Sequence, residues 1–264
     1  MNTTVTDSAP ILSIENMAVH FGGLVAISDL NFVVHEKKIV SLIGPNGAGK
    51  TTAFNVITGF LKPTEGTVRH HGMSLNGLRP NEIAERGVVR TFQKTSVFNG
   101  STVFDNVLTG LHLRGQSRSW EILLNLSRVR SEERVLRETA TEILDIVGLL
   151  GQSMKMASDL PYGEQRLLEV AVALSAEPSL LLLDEPVSGM NPSETENFME
   201  FVSRIRDRGT TILLVEHDMR MVMGVSDRVI VLNQGTVIAE GTPTEIQHNP
   251  EVIRAYLGRG SADA

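Results

Sequence analysis

The chain of 264 residues contains no cysteine, and it has no surplus of positive charge. Without a thiol it cannot form a disulfide, a cysteine nucleophile or a zinc–thiolate site, and a reducing compartment is compatible with it. Its 24 lysines and arginines stand against 31 aspartates and glutamates, for a net charge of -7. General affinity for nucleic acid is therefore not expected, and the predicted partners include no nucleic acid.

The sequence also lacks long hydrophobic runs. No apolar run approaches the roughly 20 residues that a bilayer-spanning helix needs. The first ten residues are polar and contain no apolar segment typical of a secretory signal. We therefore expect a chain that is soluble by itself, so that any membrane-spanning part must come from another chain.

What the sequence does contain is a glycine-rich phosphate-binding motif. The apolar run 39–43 predicts a buried strand before it, and residues 52–57 predict a helix after it, which is the context that the motif requires. We expect backbone N–H groups of the loop and the helix start to hold phosphate oxygens. The residues matching G-x-x-x-x-G-K-[ST] are Gly44, Pro45, Asn46, Gly47, Ala48, Gly49, Lys50 and Thr51, and Thr52 completes the predicted cofactor-binding segment.

Two side chains of this motif carry specific chemistry. Lys50 is expected to reach the β- and γ-phosphates, and the Thr51 hydroxyl is expected to ligate Mg²⁺. A glycine-rich turn with a chance lysine is the alternative interpretation, which both flanking elements disfavour.

A second acidic motif follows a buried strand. Residues 180–183 are four leucines, which predict a strand covered on both faces. Strand ends of parallel sheets face the ligand crevice, so Asp184 is expected to reach the metal ion or its waters. Glu185 is placed to orient and deprotonate the water that attacks the γ-phosphate. An acidic turn after a core strand is the alternative, and the phosphate-binding motif favours the functional interpretation.

The remaining pattern predicts the fold class. Polar–apolar alternation within 11–34 and 67–75 indicates antiparallel strands, whereas residues 102–160 are charged and helix-favouring. We expect an α/β P-loop NTPase core with a mixed sheet, an N-terminal antiparallel β subdomain and an inserted α-helical subdomain. The predicted boundaries are a single domain over 11–257, with a core from 1–94 and 161–257 and a helical subdomain over 95–160.

With these motifs the chain resembles, over residues 11–257, the nucleotide-binding subunit of an ATP-binding cassette (ABC) transporter. Gln93 matches the family's Q-loop glutamine, which contacts Mg²⁺ and couples to the membrane subunits. His217 matches the switch histidine that contacts the γ-phosphate, so Gln93 and His217 join Glu185 as expected catalytic residues. Residues 188–191 fall at the D-loop, and Phe21 falls where the family stacks an aromatic ring on adenine. Core packing at a strand end is the alternative role for Phe21.

The family's signature position holds residues 160–165, Leu-Pro-Tyr-Gly-Glu-Gln. The usual form has serine and glycine where this chain has Pro161 and Tyr162, so a hydroxyl that would contact ATP on a partner subunit is missing. Gly163 and the N–H groups of a helix start are expected to provide an anion site in its place.

The signature, together with Gly-Met-Asn-Pro at 189–192 and Glu-His-Asp-Met at 216–219, resembles the ATPase of bacterial branched-chain amino-acid importers. Relatives with the same motifs resemble carriers of amides, urea or aromatic acids. The expected function is therefore ATP hydrolysis that energises import of branched-chain amino acids or related small polar solutes. A soluble ABC-type ATPase not coupled to transport is the alternative, and a small-molecule P-loop kinase does not explain Gln93, the signature and His217 together.

The resemblance implies ATP and Mg²⁺ as cofactors and a peripheral place on the cytoplasmic face of the inner membrane. The implied partners are integral-membrane permease subunits, a second ATPase subunit, identical or paralogous, and indirectly a periplasmic solute-binding protein. The permease is expected to dock near residues 93–104, where Val97, Phe98, Val103 and Phe104 crowd around a Gly-Ser turn. Each of these four could belong to the core instead.

Overall fold

The computed structural model describes residues 10–91, 97–112 and 127–257. These residues divide into two compact units. The first, which we call the sheet unit, comprises the described residues up to Arg90, Ser179–Glu185 and those from Ile205 onward. The second, the helical unit, comprises those of Thr91–Pro178 and Pro186–Arg204. It thus takes in residues 161–178 and 186–204, which the sequence analysis assigned to the core.

The sheet unit contains one mixed sheet of ten strands in the described residues, in the order β5-β4-β1-β2-β10-β9-β3-β8-β7-β6. The strands β9, β3, β8, β7 and β6 pair in parallel, and β1, β2, β4 and β5 pair antiparallel. This confirms the predicted α/β fold with an antiparallel N-terminal part. The strands are β1 (Pro10–Phe21), β2 (Leu24–His35), β3 (Ile39–Ile43), β4 (Glu65–His70), β5 (Met73–Ser74), β6 (Val88–Arg90), β7 (Leu180–Asp184), β8 (Thr211–Val215), β9 (Arg228–Asn233) and β10 (Thr236–Gly241).

The three central parallel strands are buried at every position, which explains their continuous apolar sequences. Strands β1 and β2 together span almost all of residues 11–34, where the sequence predicts antiparallel strands. Their register shifts between Ile14 and Met17 and again between Met17 and Val19, so a strict two-residue alternation is broken where the pairing continues.

Nine α-helices and two short 3-10 helices (Leu150–Gln152 and Ala157–Asp159) are present in the described residues. The α-helices are α1 (Lys50–Ile57), α2 (Pro80–Glu85), α3 (Val103–His112), α4 (Ser127–Ile146), α5 (Tyr162–Leu174), α6 (Pro192–Asp207), α7 (Met219–Val225), α8 (Pro243–Gln247) and α9 (Pro250–Leu257). Helix α5 begins one residue before the predicted Gly163 because Pro161 serves as its N-cap. Strand β6 ends at Arg90, and Phe92 lies outside the described residues. None of the described helices has the length and apolar character needed to cross a bilayer.

The hairpin between β9 and β10 supports the phosphate-binding loop. Its two-residue turn has positive φ at Gln234 (48°) and Gly235 (79°), as a type I′ turn requires. The N–H of Gly235 donates to the carbonyl oxygen of Ala48 over 2.9 Å, and the N–H of Ser28 donates to Gly235 over 3.2 Å. The turn therefore supports the loop directly through Ala48, and β2 supports the turn through Ser28.

In the helical unit, one buried asparagine organises the segment before α3. The Oδ1 of Asn106 accepts from the N–H of Phe98 over 2.7 Å, and its Nδ2 donates to the carbonyl oxygens of Phe98 (3.1 Å) and Thr102 (2.9 Å). Val97 and Val103 are buried, so the core alternative is correct for these two. The side chain of Phe98 is 59% exposed.

Candidate nucleotide-binding and catalytic site

A cleft of about 350 Å³ opens in the sheet unit above the phosphate-binding loop. Predicted site residues from four distant parts of the sequence meet there: the end of β1, the loop with the start of α1, the segment after β7 and the segment after β8. The lining residues are Phe21, Leu24, Val25, Ala26, Asn46, Gly47, Ala48, Gly49, Lys50, Thr51, Thr52, Glu185 and His217.

The loop backbone takes conformations that require glycine at its two ends. Gly44 has φ 150°, and a Cβ there would collide with the carbonyl oxygen of Leu232. Gly49 has φ 108° and is the N-cap of α1, where its carbonyl accepts from Ala53 over 2.9 Å. The loop therefore turns directly into a helix N-terminus, whose first N–H groups lack intrahelical acceptors and favour an anion.

The side chain of Lys50 lies along the loop and is only 6% exposed as a residue. Its Nζ donates to the carbonyl oxygens of Gly44 (2.7 Å) and Pro45 (3.2 Å). Burial lowers the pKa of Lys50, whereas the negative charges of Glu185 and Asp184 act in the opposite direction. The ammonium group is therefore held against the loop by two carbonyl oxygens and lies within the electrostatic influence of both acids.

Asp184 ends β7 as predicted, and its two carboxylate oxygens differ in their surroundings. Its Oδ2 accepts from Nη2 of Arg90 over 2.6 Å, in an ion pair with side-chain exposures of 9% for Arg90 and 1% for Asp184. Its Oδ1 is buried and has no hydrogen-bond partner within the described part of the chain. Oδ2 is thus engaged in the ion pair with Arg90, whereas Oδ1 has no hydrogen bond to a described residue.

Glu185 and His217 form a direct contact in the cleft. Nε2 of His217 lies 2.8 Å from Oε1 of Glu185. Glu185 has φ 49°, in the left-handed region that non-glycine residues seldom adopt, while its N–H donates to the carbonyl of Val215 over 2.8 Å. Such a conformation costs about 1–3 kcal/mol and persists only where the surrounding structure holds it in place.

The loop that carries His217 is fixed by the acids on each side of it. Oε2 of Glu216 accepts from the N–H groups of His217 (2.8 Å) and Asp218 (3.2 Å). Asp218 caps α7 by accepting from the N–H groups of Arg220 and Met221. The backbone after β8 is therefore turned so that His217 lies between a capped helix and the strand end.

Apolar residues at the tip of the β1–β2 hairpin form the other end of the cleft. Phe21 is 50% exposed, so it is not the core residue that the alternative interpretation proposed. Leu24 and Val25 are also exposed, and both line the cleft. Sequence reasoning did not identify these two, because an apolar residue beside a turn gives no local sign that it is exposed.

The signature segment lies in the helical unit, at the start of α5. The hydroxyl of Tyr162 donates to the carbonyl oxygen of Ser188 over 2.9 Å and accepts from Nε of Arg166 over 3.1 Å. A Cβ on Gly189 would lie 3.2 Å from the ring of Tyr162. The proton of this hydroxyl is therefore committed to the segment 188–191, and Gly163 stands in the first helical turn as predicted.

Gln93 lies outside the described residues. Among the described residues no group of three or more histidine, cysteine, aspartate or glutamate side chains is arranged as a metal cluster. The metal interaction that the sequence predicts would instead use the side chains of Thr51, Gln93 and Asp184.

Comparison with known families agrees with this geometry. The family model for the ABC transporter matches residues 27–188. The chain belongs to the ABC transporter family. A second family model, for the branched-chain amino acid ATP-binding cassette transporter, matches residues 236–262 of this ABC ATPase.

Individual relatives cover nearly the whole of the ABC ATPase. It is 46% identical to the high-affinity branched-chain amino acid transport ATP-binding protein LivG of Escherichia coli, over 95% of this chain and 99% of LivG. It is 43% identical to the corresponding protein BraF of Pseudomonas aeruginosa, again over 95% and 99%. Among solved structures, the ADP conformation of MJ1267, an ATP-binding cassette of an ABC transporter, matches with a TM-score of 0.83 and 31% identity, over 95% of this chain and all of that one.

Replacement of His217 tests whether its contact with Glu185 serves the reaction. We expect His217→Ala to lower the ATPase rate of this ABC ATPase on the order of a hundredfold, because a polar group beside the reacting phosphate is lost. Steady-state phosphate release would measure this, with His248→Ala as the matched control on the exposed C-cap of α8. An unchanged rate for His217→Ala would show that the histidine takes no part in hydrolysis.

Proposed function

We propose that this ABC ATPase binds Mg-ATP in the cleft and hydrolyses it to energise an importer of branched-chain amino acids or related small polar solutes. The observation that carries the proposal is the Glu185–His217 contact of 2.8 Å in the cleft that the phosphate-binding loop lines. A base, a group that orients it and an anion-binding loop in one cleft are what phosphoryl transfer to water requires.

In this mechanism Glu185 accepts the proton of the water that attacks the γ-phosphorus, while the bond to the bridging oxygen of ADP breaks. His217 holds Oε1 of Glu185 in place through the contact already described. Lys50 and the N–H groups at the start of α1 stabilise the charge that develops on the phosphate oxygens. The products are ADP and inorganic phosphate, and no further reactant is needed.

The residues fit a bound Mg²⁺. Oδ1 of Asp184 is a buried acceptor without a hydrogen-bond partner among the described residues, and hard oxygen ligands are what this ion prefers. Thr51 is exposed in the cleft beside Lys50. When bound, the ion would supply positive charge that offsets the charge of the phosphates. Thr51, Asp184 and Gln93 are the residues that would hold the ion or its waters.

The half-exposed ring of Phe21 is proposed to stack on the adenine. The apolar surface that it forms with Leu24 and Val25 lies in the same cleft as the phosphate-binding loop. Replacement of Phe21 is then expected to weaken ATP and ADP equally, since both share the adenine.

Two ATPase subunits are proposed to act together, as is general for ABC ATPases. Gly163 and the first-turn N–H groups of α5 would face ATP bound by the other subunit, so each ATP would join two chains. Because ATP binds the closed pair more tightly than the open pair, its hydrolysis would release the contact. The partner is either a second copy or a paralogous ATPase.

Cargo and coupling can be tested in native membranes. If the importer proposal is correct, an affinity-tagged chain should pull down a permease, and its deletion should abolish uptake of radiolabelled leucine, isoleucine or valine. Loss of uptake of an amide, urea or an aromatic acid would reassign the cargo. If the chain fractionates away from membranes and no uptake changes, the alternative of an uncoupled ABC-type ATPase is correct.

The permease is proposed to dock on the segment around Phe98. This side chain is 59% exposed although its backbone N–H and carbonyl are both hydrogen-bonded to the side chain of Asn106. A fixed backbone that presents an exposed aromatic ring is suited to a partner surface.

We expect Phe98→Asp to abolish co-purification with the permease and leave the ATPase rate of the isolated subunit within about twofold, because exposed substitutions seldom unfold a protein. Val135→Asp, at a 52% exposed position of α4 in the same unit, is the matched control. Full-yield co-purification of Phe98→Asp would refute this docking site, and joint loss of ATPase activity would show that the substitution disturbs the folded subunit and not a docking surface alone.

A further inference from the structure

A buried arginine that sequence reasoning did not identify connects the two nucleotide-binding motifs. Arg90 is the last residue of β6, and its side chain is 9% exposed. Its Nη2 donates to Oδ2 of Asp184 over 2.6 Å, and its Nη1 donates to Oδ1 of Asn55 over 2.7 Å. The guanidinium carbon lies 5.5 Å from the ring centroid of Phe54.

These contacts join three elements of the sheet unit. Asn55 and Phe54 belong to α1, the helix that begins at Lys50 of the phosphate-binding loop. Asp184 ends β7, which lies beside β6 in the sheet. A planar guanidinium offers donors in a rigid fork, so it can hold α1 and the end of β7 at a fixed separation.

The same contacts decide which oxygen of Asp184 is available. The guanidinium takes only Oδ2, because its other terminal nitrogen is committed to Asn55. A bidentate pair would have used both carboxylate oxygens. As it stands, Oδ1 of Asp184 has no partner in the described ranges 10–91, 97–112 and 127–257.

We propose that Arg90 is a positioning residue for the divalent cation of Mg-ATP: it fixes Asp184 through Oδ2 and leaves Oδ1 to the ion or its waters. This inference rests on the proposed function, since it needs Mg-ATP in the cleft. Arg90 itself touches neither ion nor nucleotide in this scheme, and it acts through Asp184. Groups that orient a metal ligand commonly change metal affinity by about 10–100-fold when replaced.

The test separates metal binding from nucleotide binding. Mn²⁺ replaces Mg²⁺, and a non-hydrolysable ATP analogue is bound to the full-length chain. Loss of the free Mn²⁺ signal in electron paramagnetic resonance gives the metal affinity of the complex. Affinity for the analogue alone is measured separately in excess EDTA.

Arg90→Lys is the main variant, because it keeps the charge and cannot hold Asn55 and Asp184 together in one fork. We expect its Mn²⁺ affinity to fall about tenfold, within the usual range for a group behind a metal ligand. Its affinity for the analogue in EDTA should stay within about twofold. In the Asp184→Asn background, Arg90→Lys should have no further effect on Mn²⁺ affinity, since the oxygen pair that it orders is gone.

Each other outcome has a definite meaning. Equal Mn²⁺ affinity in wild type and Arg90→Lys would overturn the inference, and so would a parallel loss of both affinities, which would make Arg90 a general support of the loop. If Arg90→Lys does not fold, Asn55→Ala loosens the same guanidinium and should lower Mn²⁺ affinity alone. If the wild type binds no analogue, or binds it without any effect of Mn²⁺, the proposed function fails instead.

Discussion

Lys50→Ala should lower ATP turnover at least about a hundredfold, because removal of one preorganised charge from a reacting phosphate costs this much or more. The alanine leaves the glycine conformations of the loop and the first-turn N–H groups of α1 in place. Phosphate binding by the backbone should therefore persist in part, with a weakened affinity for ATP. Isothermal titration with Mg-ATP and a phosphate-release assay would measure the two effects on the same preparation.

The control for this variant is Lys62→Ala, which removes one lysine from an exposed position outside the cleft. It should match the wild type in both measurements, so a general effect of net charge would be recognised. If Lys50→Ala binds and hydrolyses ATP as the wild type does, then the loop is not the phosphate site. The whole assignment of the cleft would then be wrong.

The parts of the site that sequence reasoning predicted are those whose signal is local. The phosphate-binding loop is one continuous segment, and its fixed glycines correspond to φ values of 150° at Gly44 and 108° at Gly49. The positions of Asp184 and Glu185 at the end of β7 likewise follow from the four consecutive leucines before them, which are fully buried. In both cases the residues that act together are neighbours in the sequence, so their spacing along the chain is enough to predict their arrangement in space.

The contact between Arg90 and Asp184 is one that local sequence patterns do not predict. Asp184 is 94 positions away from Arg90 in sequence, and an arginine at the end of a three-residue strand has no pattern that indicates burial. The contact exists because β6 and β7 are neighbours in the sheet, with Arg90 paired to Leu182. Strand order is a tertiary property, so only the structure brings these two charges together.

The division of the chain shows the same limit. Composition marks residues 102–160 as helix-favouring, but α5 belongs to the helical unit through the packing of α3 against α5. The bond from Tyr162 to Ser188 also lies within this unit. The change in composition therefore predicts the inserted helices, whereas long-range packing determines which other segments belong to the helical unit.

Glu185→Gln should retain ATP binding and lose turnover by about 10²–10⁴-fold, the usual contribution of a positioned general base. The amide has the size of the carboxylate and can still meet His217, but its oxygen is too weak a base to take a proton from water. The ATP-bound pair should accumulate, and size exclusion with light scattering should show a dimer with ATP, or a mixed pair when a paralogous partner is supplied.

Glu177→Gln is the matched control, because Glu177 also has positive φ (47°) and lies in the other unit, outside the cleft. Wild-type turnover by Glu185→Gln would mean that the base lies elsewhere, and its φ of 49° would then need an explanation other than catalysis.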